Sequence, residues 1–327
     1  MKDRLGREIE YLRVSVTQNC NLKCIYCVSE EDRNIISEIG SCKKDCCTTL
    51  APDEFEAIVK IMAELGIKKV RLTGGEPLTR PDIIEIVERI SKIPQIEDLS
   101  MTTNGIFLDK MAVKLKKAGL KRLNVSLDSL NKDKFKSITG GGRLEAVIDG
   151  IKKALEVGLA PVKINTVLIK GVNDHEVDDF IELARDRPVE VRFIELMPIG
   201  KYGEHNAQNI VYSSEIIKSH PEMIRCEVCE TSQPACYFEI AGFKGNIGFI
   251  SPMSHRFCSC CNRIRLTCDG KIKPCLGNNG EQDILGILRN HPDNLREIIE
   301  KIIYEKPEGH NFNEKYTSVR DMRMIGG

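Results

Sequence analysis

Three cysteines lie close together near the start of the chain, in the segment CNLKCIYC. Cys20, Cys24 and Cys27 are spaced so that three thiolates from one short loop could hold three corners of a cubane iron–sulfur cluster. A cluster that only carries electrons normally has four cysteine ligands, so three ligands leave one iron open to a small molecule. Taken alone, the spacing also allows a zinc knuckle or a set of buried free thiols.

A second group of cysteines occurs in the segment HRFCSCCNRIRLTCDGKIKPCL. Cys258, Cys261 and Cys275 would bring a Cys-x2-Cys loop against the end of a following hairpin, and three ligands would again leave one iron open. A zinc ribbon with Cys260 or Cys268 as its fourth ligand is the alternative. Spacing alone favours zinc at this second group.

Six further cysteines fit neither pattern. The chain begins with a charged segment, MKDRLGREIE, and has no apolar stretch of about 18 residues, so we expect a cytoplasmic protein without a signal peptide or membrane span. Cytosolic thiols stay reduced, which argues against a disulfide framework for the 14 cysteines. We therefore predict free thiols, with a further metal site as the alternative, at Cys42, Cys46, Cys47, Cys226, Cys229 and Cys236.

Basic and acidic residues balance in this chain: Lys and Arg total 48, Asp and Glu total 48, and the formal net charge is zero. General binders of nucleic acid or of membrane surfaces need a basic excess, so the balance argues against both classes. An anionic ligand must then be bound by Arg and Lys side chains that the fold brings together locally. At 327 residues the chain is long enough for one large α/β domain, alone or with a small appendage.

Strand-like and helix-like segments alternate over the first two thirds of the chain. This alternation predicts parallel strands joined by right-handed crossovers. Six such units suit either an open, partial (β/α)6 barrel or a doubly wound sheet, and the pattern alone does not choose between them. The predicted strands are 11–17, 68–74, 98–104, 122–129, 161–169 and 189–196, and the predicted helices are 52–65, 81–93, 108–118, 144–157 and 175–185.

The pattern changes after residue 197. A helix near 213–219 precedes two hairpin-like pieces, ACYFEIAGFKGNIGFIS and RIRLTCDGKIKPC, and two helices follow near 281–290 and 293–305. We predict a larger domain over 1–200 and a smaller C-terminal domain over 201–327 that closes the open side of the barrel. The chain ends in Gly326-Gly327, which taken alone suits a disordered end.

Polar residues lie at the predicted strand ends, where parallel β/α folds bind their ligands. The second strand leads into Thr-Gly-Gly-Glu-Pro (73–77), whose glycines let a backbone approach a ligand closely. Lys163 lies within an otherwise apolar strand and needs an anionic partner, either a ligand or a carboxylate such as Glu195. Thr102 and Ser126 suit ligand contacts or ordinary backbone capping.

The cysteine loop and the turn after the next strand together resemble the radical S-adenosylmethionine (SAM) enzymes. The matching features are Cys-x3-Cys-x2-Cys, an aromatic residue between the second and third cysteines, and Gly-Gly-Glu-Pro one strand later. The resemblance implies a partial (β/α)6 barrel and a [4Fe–4S] cluster whose open iron binds SAM. Val28-Ser29 departs from the usual Met-Pro after the third cysteine. The implied SAM contacts are Tyr26, Gly75, Ser126 and Met197, and the implied cluster ligands are Cys20, Cys24 and Cys27.

A narrower resemblance covers the chain from about residue 5 to the end. FCxxCNRxRLTxDGxxxxCL, INTVLIKGVND, VRFIELMPIG and the terminal Gly-Gly are similar to the GTP 3′,8-cyclase family of molybdenum cofactor biosynthesis. The resemblance implies a second [4Fe–4S] cluster on Cys258, Cys261 and Cys275, with its open iron facing guanine. It also implies that Gly326-Gly327 is a flexible tail that reaches into the active site. The implied GTP contacts are Arg13, Arg71, Thr102, Lys163, Arg263 and Arg265, of which Arg13, Arg263 and Arg265 are also the candidate catalytic residues.

Two of these arginines have support from the residues themselves. Arg263 and Arg265 fall on one face if CNRIRL is a strand, because the side-chain period of a strand is two. Their guanidinium groups could then bind one triphosphate, while surface ion pairs are the alternative.

The family resemblance also implies a reaction. A 5′-deoxyadenosyl radical made from SAM removes the 3′-hydrogen of GTP, and the carbon radical adds to C8 of guanine. The product is (8S)-3′,8-cyclo-7,8-dihydroguanosine 5′-triphosphate. Implied partners are an external electron donor, the downstream cyclic pyranopterin monophosphate synthase and a second copy of the chain in a homodimer. The rival interpretations are a peptide-modifying radical SAM enzyme and a non-catalytic iron–sulfur or zinc scaffold.

Overall fold

Six parallel strands form the middle of one mixed sheet, and they lie side by side in chain order. The computed structural model describes residues 1–28, 49–226, 233–310, 312 and 320–326. A doubly wound sheet reverses its strand order at a switch point, and no reversal occurs among these six strands, so the arrangement is the partial-barrel type. The strands are β1 (Tyr11–Ser15), β2 (Lys69–Thr73), β3 (Asp98–Thr103), β4 (Arg122–Ser126), β5 (Val162–Leu168) and β6 (Val189–Glu195).

Helices connect these strands at close to the predicted positions. In the first helix, Pro52 fits the first turn because its missing N–H has no intrahelical partner there. The backbone N–H of Ala51 donates to the Glu54 carboxylate at 2.8 Å, and Gly66 (φ +107°) follows the end. The helices are α1 (Pro52–Glu64), α2 (Ile83–Ser91), α3 (Leu108–Lys117), α4 (Lys132–Thr139), α5 (Leu144–Glu156) and α6 (Val177–Asp186).

The short helix α4 has no counterpart in the sequence-based prediction. Its eight residues are too few for a clear apolar period, so its start depends on a local cap. The Asn131 side chain accepts from the backbone N–H groups of Asp133 and Lys134, both at 3.1 Å. Gly140, in the left-handed region at φ +67°, ends the helix.

Burial separates the two faces of each strand. On β5, Val162 and Ile164 are buried, whereas Lys163 and Asn165 are partly exposed on the opposite face. The helices supply matching apolar stripes: on α2, buried residues recur at the spacing of one helical face, at Ile83, Ile86, Val87 and Ile90. The apolar core therefore lies between sheet and helices, and the other face is left for polar side chains.

Strands from the last third of the chain extend the sheet at both edges. β10 pairs in parallel with β1, and β9 pairs in parallel with β6. The two predicted hairpins are confirmed as β8–β9 and β10–β11. The division of the chain at residue 200 stays a prediction. The added strands are β7 (Ile224–Arg225), β8 (Ala235–Glu239), β9 (Asn246–Ile250), β10 (Arg263–Leu266), β11 (Lys271–Lys273) and β12 (Gln282–Asp283).

The remaining described helices follow β6 along the chain, and the last of them lies in the tail. The tail segment (residues 320–326) packs into the molecule, where Ile325 is buried against a small cluster with Ile199 and Phe312. None of the described helices is both long and apolar enough to cross a membrane. These helices are α7 (Gly200–His205), α8 (Ser213–Ser219), α9 (Leu285–Asn290), α10 (Leu295–Tyr304) and α11 (Met322–Ile325).

Four phenylalanines bind the added strands to the barrel. Phe249 on β9 lies in register with Phe193 on β6, and their ring centroids are 5.7 Å apart. Phe193 also meets Phe180 on α6, and Phe249 meets Phe238 on β8 at 5.5 Å. Aromatic pairs at these separations add to the stabilisation that burial gives.

Phe249→Ala tests how strongly this cluster stabilises the sheet. The ring is 2% exposed, so its removal leaves a cavity, and we expect the free energy of unfolding to fall by about 3–5 kcal/mol. The matched control is Tyr304→Ala, because that side chain is 54% exposed and should change stability by less than about 0.5 kcal/mol. Urea denaturation followed by circular dichroism measures both. Equal losses in the two variants would contradict the packing argument.

Candidate functional site

Two adjoining cavities lie at opposite ends of the barrel strands, the first at their carboxyl ends and the second toward their amino ends. The first cavity has a volume of about 180 Å³ and is lined by Cys20, Cys24 and Cys27. The second cavity has a volume of about 450 Å³ and is lined by the second cysteine group. Three residues line both cavities: Asn165, Ile194 and Met197. The two cysteine groups therefore face a common space rather than separate surfaces.

The first cysteine loop is held by backbone hydrogen bonds. Its turn closes with the N–H of Cys27 donating to the carbonyl of Cys24 at 3.0 Å, and Ile25 donates to Ile138 at 2.9 Å on the end of α4. Burial raises the pKa of Cys20 to about 11 and of Cys27 to about 12, and it raises the pKa of Cys24 as well. Buried thiols of this kind lose their protons when a metal binds to the sulfur atoms in place of the protons. The donor set therefore fits an iron–sulfur cluster.

The glycine turn after β2 packs directly on the start of this loop. Gly75 donates its N–H to the Thr17 carbonyl at 2.7 Å, and Glu76 donates to the Asn19 carbonyl at 2.8 Å. A Cβ atom on Gly75 would lie 2.2 Å from the Asn19 carbonyl oxygen, so only glycine allows this approach. The turn therefore fixes the residue that precedes Cys20.

Glu76 serves to hold the turn together. Its carboxylate accepts from the N–H of Leu78 at 3.0 Å, the N–H of Asn104 at 2.6 Å and the hydroxyl of Thr103 at 2.7 Å. Burial raises the pKa of Glu76 to about 7 although these donors favour the charged form. Its hydrogen bonds tie the end of β2 to the end of β3.

Tyr26 is held by Asp128, which follows β4 and to which the sequence analysis gave no role. The Tyr26 hydroxyl donates to the Asp128 carboxylate at 2.6 Å, and the N–H of Val167 donates to the other carboxylate oxygen at 2.9 Å. Burial raises the pKa of Asp128 to about 6. The pair fixes the Tyr26 ring against the first cavity, where Gly75, Ser126 and Met197 also lie.

Positive charge dominates the second cavity. Nine basic side chains line it, and no Asp or Glu is among its lining residues in the described ranges. Carboxylates just behind the wall pair with two of them: Arg122 donates to Asp98 at 2.9 Å, and Lys163 donates to Glu190. The basic residues are Arg13, Lys69, Arg71, Arg122, Lys163, Arg192, Arg263, Arg265 and Lys306.

Three of these arginines occupy the same register position on neighbouring parallel strands. Arg13 on β1 is in register with Arg265 on β10 and with Arg71 on β2. Burial, with Arg265 and Arg71 as the largest neighbouring charges, lowers the pKa of Arg13 well below its usual value. Burial also lowers the pKa of Arg71 and of Arg265 to about 10. Like charges in one row destabilise each other, so the row is suited to an anionic ligand.

Several buried polar atoms around the two cavities have no hydrogen-bond partner among the described residues. Such atoms are costly unless a ligand or water satisfies them. Three of these atoms belong to predicted binding residues: Arg13 Nε, Arg263 Nη2 and Thr102 Oγ1. The others belong to residues that were not predicted to bind a ligand: Tyr11 Oη, Asn165 Oδ1, Arg192 Nε, Asn262 Oδ1 and Arg323 Nε.

Lys163 has a protein partner, but the suggested one was wrong. Glu195 is engaged elsewhere, accepting from the N–H groups of Met253 and Ser254, both at 3.0 Å. Lys163 instead donates to Glu190, which is its direct neighbour in the β5–β6 register, and to the Tyr237 hydroxyl at 3.0 Å. Burial lowers the pKa of Lys163 to about 8 despite the Glu190 charge.

The second cysteine group supplies three thiols to the second cavity. Cys258, Cys261 and Cys275 line it, whereas the two candidate fourth ligands of a zinc ribbon do not. The Cys260 thiol donates to the Phe257 carbonyl at 3.5 Å, and Cys268 is fully buried. None of the described groups of three or more His, Cys, Asp or Glu is arranged to hold a single metal ion, and a cluster places each thiolate on its own iron.

One thiol of this group is unusually acidic. Burial alone would raise the pKa of Cys261, but the nearby Arg263 and Lys306 charges lower it to about 7. Lys306 is 1% exposed and donates to the Pro274 carbonyl at 2.5 Å. The sequence pattern offered no signal for Lys306, because it lies outside both motifs.

The predicted site residues all line the two cavities, with one difference in grouping. Thr102 lies in the first cavity rather than beside the arginines. Of the six additional cysteines, Cys226 and Cys236 are described and line neither cavity; Cys226 donates to Glu239 at 3.5 Å. The predictions for Cys42, Cys46, Cys47, Cys229 and Gly327 lie outside the described residues.

Gly75→Ala tests the contact between the glycine turn and the cysteine loop. The added Cβ overlaps the Asn19 carbonyl, so we expect less iron bound at the first triad after anaerobic reconstitution and a melting temperature lower by several degrees. Gly286→Ala is the matched control, because a Cβ there meets no described atom within 4 Å. Iron analysis and thermal denaturation measure the effect. Wild-type iron content in Gly75→Ala would contradict the steric argument.

Comparison with known proteins agrees with this geometry. The radical SAM superfamily model matches residues 14–184, and the Molybdenum Cofactor Synthesis C model matches residues 189–312. Proteins named GTP 3′,8-cyclase from Alkaliphilus oremlandii, Alkaliphilus metalliredigens and Clostridium botulinum strain Langeland are 47%, 45% and 47% identical, and each alignment covers 100% of both chains.

Solved structures show the same fold at much lower identity. Streptococcus suis SuiB bound to S-adenosylmethionine gives a TM-score of 0.56 at 17% identity, covering 92% of this chain and 64% of that chain. SuiB bound to the precursor peptide SuiA gives 0.59 at 16% identity, covering 93% and 66%. The full-length relatives and the two matched regions show that this chain belongs to the radical SAM superfamily and, within it, to the GTP 3′,8-cyclase family.

Proposed function

We propose that this protein is a radical SAM lyase that converts GTP into (8S)-3′,8-cyclo-7,8-dihydroguanosine 5′-triphosphate, the first step of molybdenum cofactor biosynthesis. Family membership supports the reaction, with SAM, a [4Fe–4S] cluster and GTP as its requirements. The observation that carries the proposal is the second cavity. It holds an arginine row and a cysteine triad, and it shares three wall residues with the cavity of the first triad.

The first cavity is the proposed SAM site. Cys20, Cys24 and Cys27 would hold the cluster, and the cluster with SAM supplies the carbon radical that starts the reaction. The remaining work falls to the chain. Tyr26, held by Asp128, offers a fixed ring face for the adenine, and Gly75 allows close backbone approach. Ser126, Met197 and Thr102 complete the wall.

The arginine row is the proposed triphosphate site. Guanidinium groups offer two parallel N–H donors to phosphate oxygens, and Arg13, Arg71 and Arg265 present theirs from adjacent register positions. The unpartnered buried atoms of Arg13 and Arg263 would gain acceptors when an anion binds. The Lys163 ammonium would then pair with the ligand as well as with Glu190. The negative charge of the triphosphate must be balanced in this cavity. That requirement supports the assignment of Arg13, Arg263 and Arg265 as catalytic residues.

The second triad is the proposed site of a second [4Fe–4S] cluster. Cys258, Cys261 and Cys275 would hold three irons, and the fourth would meet the guanine base. The acidic Cys261 thiol and the buried Lys306 ammonium support an anionic group at this position. Phosphate and base would then be held at two points, leaving the ribose between the cavities.

Positioning at the junction is the main physical task of the protein. Ile194 and Met197 form apolar wall shared by both cavities, which limits water around a reactive carbon radical. Holding two reactants in one orientation supplies a large part of a rate enhancement. The external electron donor, the downstream cyclic pyranopterin monophosphate synthase, a homodimer and a cytoplasmic location stay predictions.

The decisive experiment follows SAM and GTP together. The protein is reconstituted anaerobically with iron and sulfide and mixed with SAM, dithionite and GTP. We expect about eight irons per chain, and formation of 5′-deoxyadenosine in step with consumption of GTP. About twelve irons would indicate a further cluster on the additional cysteines. Cleavage of SAM while GTP survives would overturn the proposed substrate, and absence of SAM cleavage would overturn the radical reaction.

Variants separate the arginine row from the clusters in the same assay. Arg265→Ala should keep the iron content of the wild type and lose GTP consumption, because the triphosphate loses a charged partner. Arg296→Met is the control, since that arginine is half exposed on α10 and pairs with Glu64 at 2.9 Å. Undiminished GTP consumption in Arg265→Ala would contradict the assigned site.

The pH dependence of the reaction tests Lys163. Its folded pKa is depressed to about 8, so its positive charge is present below pH 8 and is lost as the pH rises above it. Because kcat/KM reports the free enzyme, we expect kcat/KM for GTP to fall above pH 8, by up to about tenfold per pH unit. Lys163→Arg keeps its charge and should show a flatter profile. A decline as steep as that of the wild type would contradict the assignment.

A further inference from the structure

The first cavity has an unusual balance of charged side chains. Three carboxylates line it, and Arg323 is the one Lys or Arg among its lining residues in the described part of the chain. A ligand with both an ammonium and a carboxylate group has therefore several possible anionic neighbours but one possible cationic neighbour. The lining carboxylates are those of Glu76, Asp128 and Glu195.

The three carboxylates already have structural partners. Glu76 accepts from two backbone N–H groups and a hydroxyl, and Asp128 accepts from the Tyr26 hydroxyl and the Val167 N–H. Glu195 accepts from the backbone of residues 253 and 254. Each therefore holds the protein backbone or a ring in place. Arg323 differs from them because its buried Nε has no hydrogen-bond partner among the described residues.

Arg323 lies on the tail segment, directly beside the first triad. Its backbone N–H donates to the Cys27 thiol. Its Nε is buried and has no hydrogen-bond partner among the described residues. The nearest carboxylate partner, Asp321, is 3.7 Å from Nη2, too far for a hydrogen bond.

The tail segment is anchored on both sides of Arg323. Arg320 donates to Asp269 at 2.9 Å and to Glu281 at 2.8 Å, which are carboxylates at the β10–β11 turn and just before β12. Beyond Arg323, the carbonyls of Ile325 and Gly326 accept from Arg265, with 3.2 Å to Ile325. The position of the Arg323 backbone is therefore set by contacts to two strands.

We propose that Arg323 binds the carboxylate of SAM. This inference rests on the proposed placement of SAM against the first triad and does not depend on GTP. The open Nε and its neighbouring amino group form the two-donor fork that suits a carboxylate. The carboxylate also supplies the buried Nε with its missing acceptor. The positive charge further offsets the negative charge of three thiolates beside the same ligand.

The contact gives the tail a role in both cavities. Arg323 reaches the SAM side, while the last described carbonyls contact Arg265 of the arginine row. Binding of SAM would therefore help to hold the tail segment against the triphosphate site. Arg323 would act as a binding residue for SAM and as a positioning residue for the tail.

Binding of SAM to Arg323→Met tests the proposal without turnover. The wild type, Arg323→Met, Arg323→Lys and the control Arg296→Met are reconstituted anaerobically, and binding is expressed per N-terminal cluster counted by EPR. We expect the Kd for SAM to rise by about tenfold to a hundredfold in Arg323→Met, because a charge-assisted hydrogen bond is lost. Arg323→Lys should show a smaller rise, and Arg296→Met none.

Decarboxylated SAM identifies the group that Arg323 binds. This probe lacks only the carboxylate, so the wild type and Arg323→Met should bind it with equal affinity. An equal weakening of both ligands by the substitution, or an unchanged Kd for SAM, would overturn the inference. Failure of the wild type itself to bind SAM would instead overturn the proposed SAM site. A variant with fewer clusters remains measurable, because the Kd is counted per loaded cluster.

Discussion

Three buried arginines in one row of the sheet set the main constraint on this structure. Arg265, Arg13 and Arg71 occupy adjacent register positions on β10, β1 and β2, where like charges repel in a medium that screens them poorly. Burial and this repulsion lower the pKa of Arg13, so the row costs stability until an anion occupies it. The stability of the surrounding sheet and its core has to offset that cost.

Contacts of a buried arginine near the second cavity show how the protein offsets this cost in stability. Arg7, which is 8% exposed, pairs with Asp3 at 2.6 Å and donates to the carbonyls of Cys258 at 3.0 Å and Glu308 at 2.8 Å. This clamp ties the start of the chain to the second cysteine loop. The Arg7 guanidinium is thus satisfied by the protein, whereas Arg13 and Arg263 inside the cavity each keep a buried nitrogen atom without a partner among the described residues.

The sequence predicted most of the parts and few of their contacts. Periodicity and glycine positions predicted the six central strands, since both are local properties. Motif spacing indicated the first triad, whereas the second triad came from the family resemblance, because spacing alone favoured zinc there. Register could not be read in this way, because the pairing of Arg13 with Arg265 joins distant segments. The partner of Lys163 was missed for the same reason, and Arg323 belongs to no motif. Long-range packing decides all three.

The extended sheet also has a consequence for synthesis on the ribosome. β1 and β6 are the outer strands of the central six, and their outer partners, β10 and β9, are made only after all six. Until residues 246–266 have been translated, both strands expose unpaired N–H and C=O groups to other chains. The nascent protein therefore passes through a state that is prone to aggregation. Cluster binding at the second triad cannot shorten this state, because that triad is itself encoded after β9.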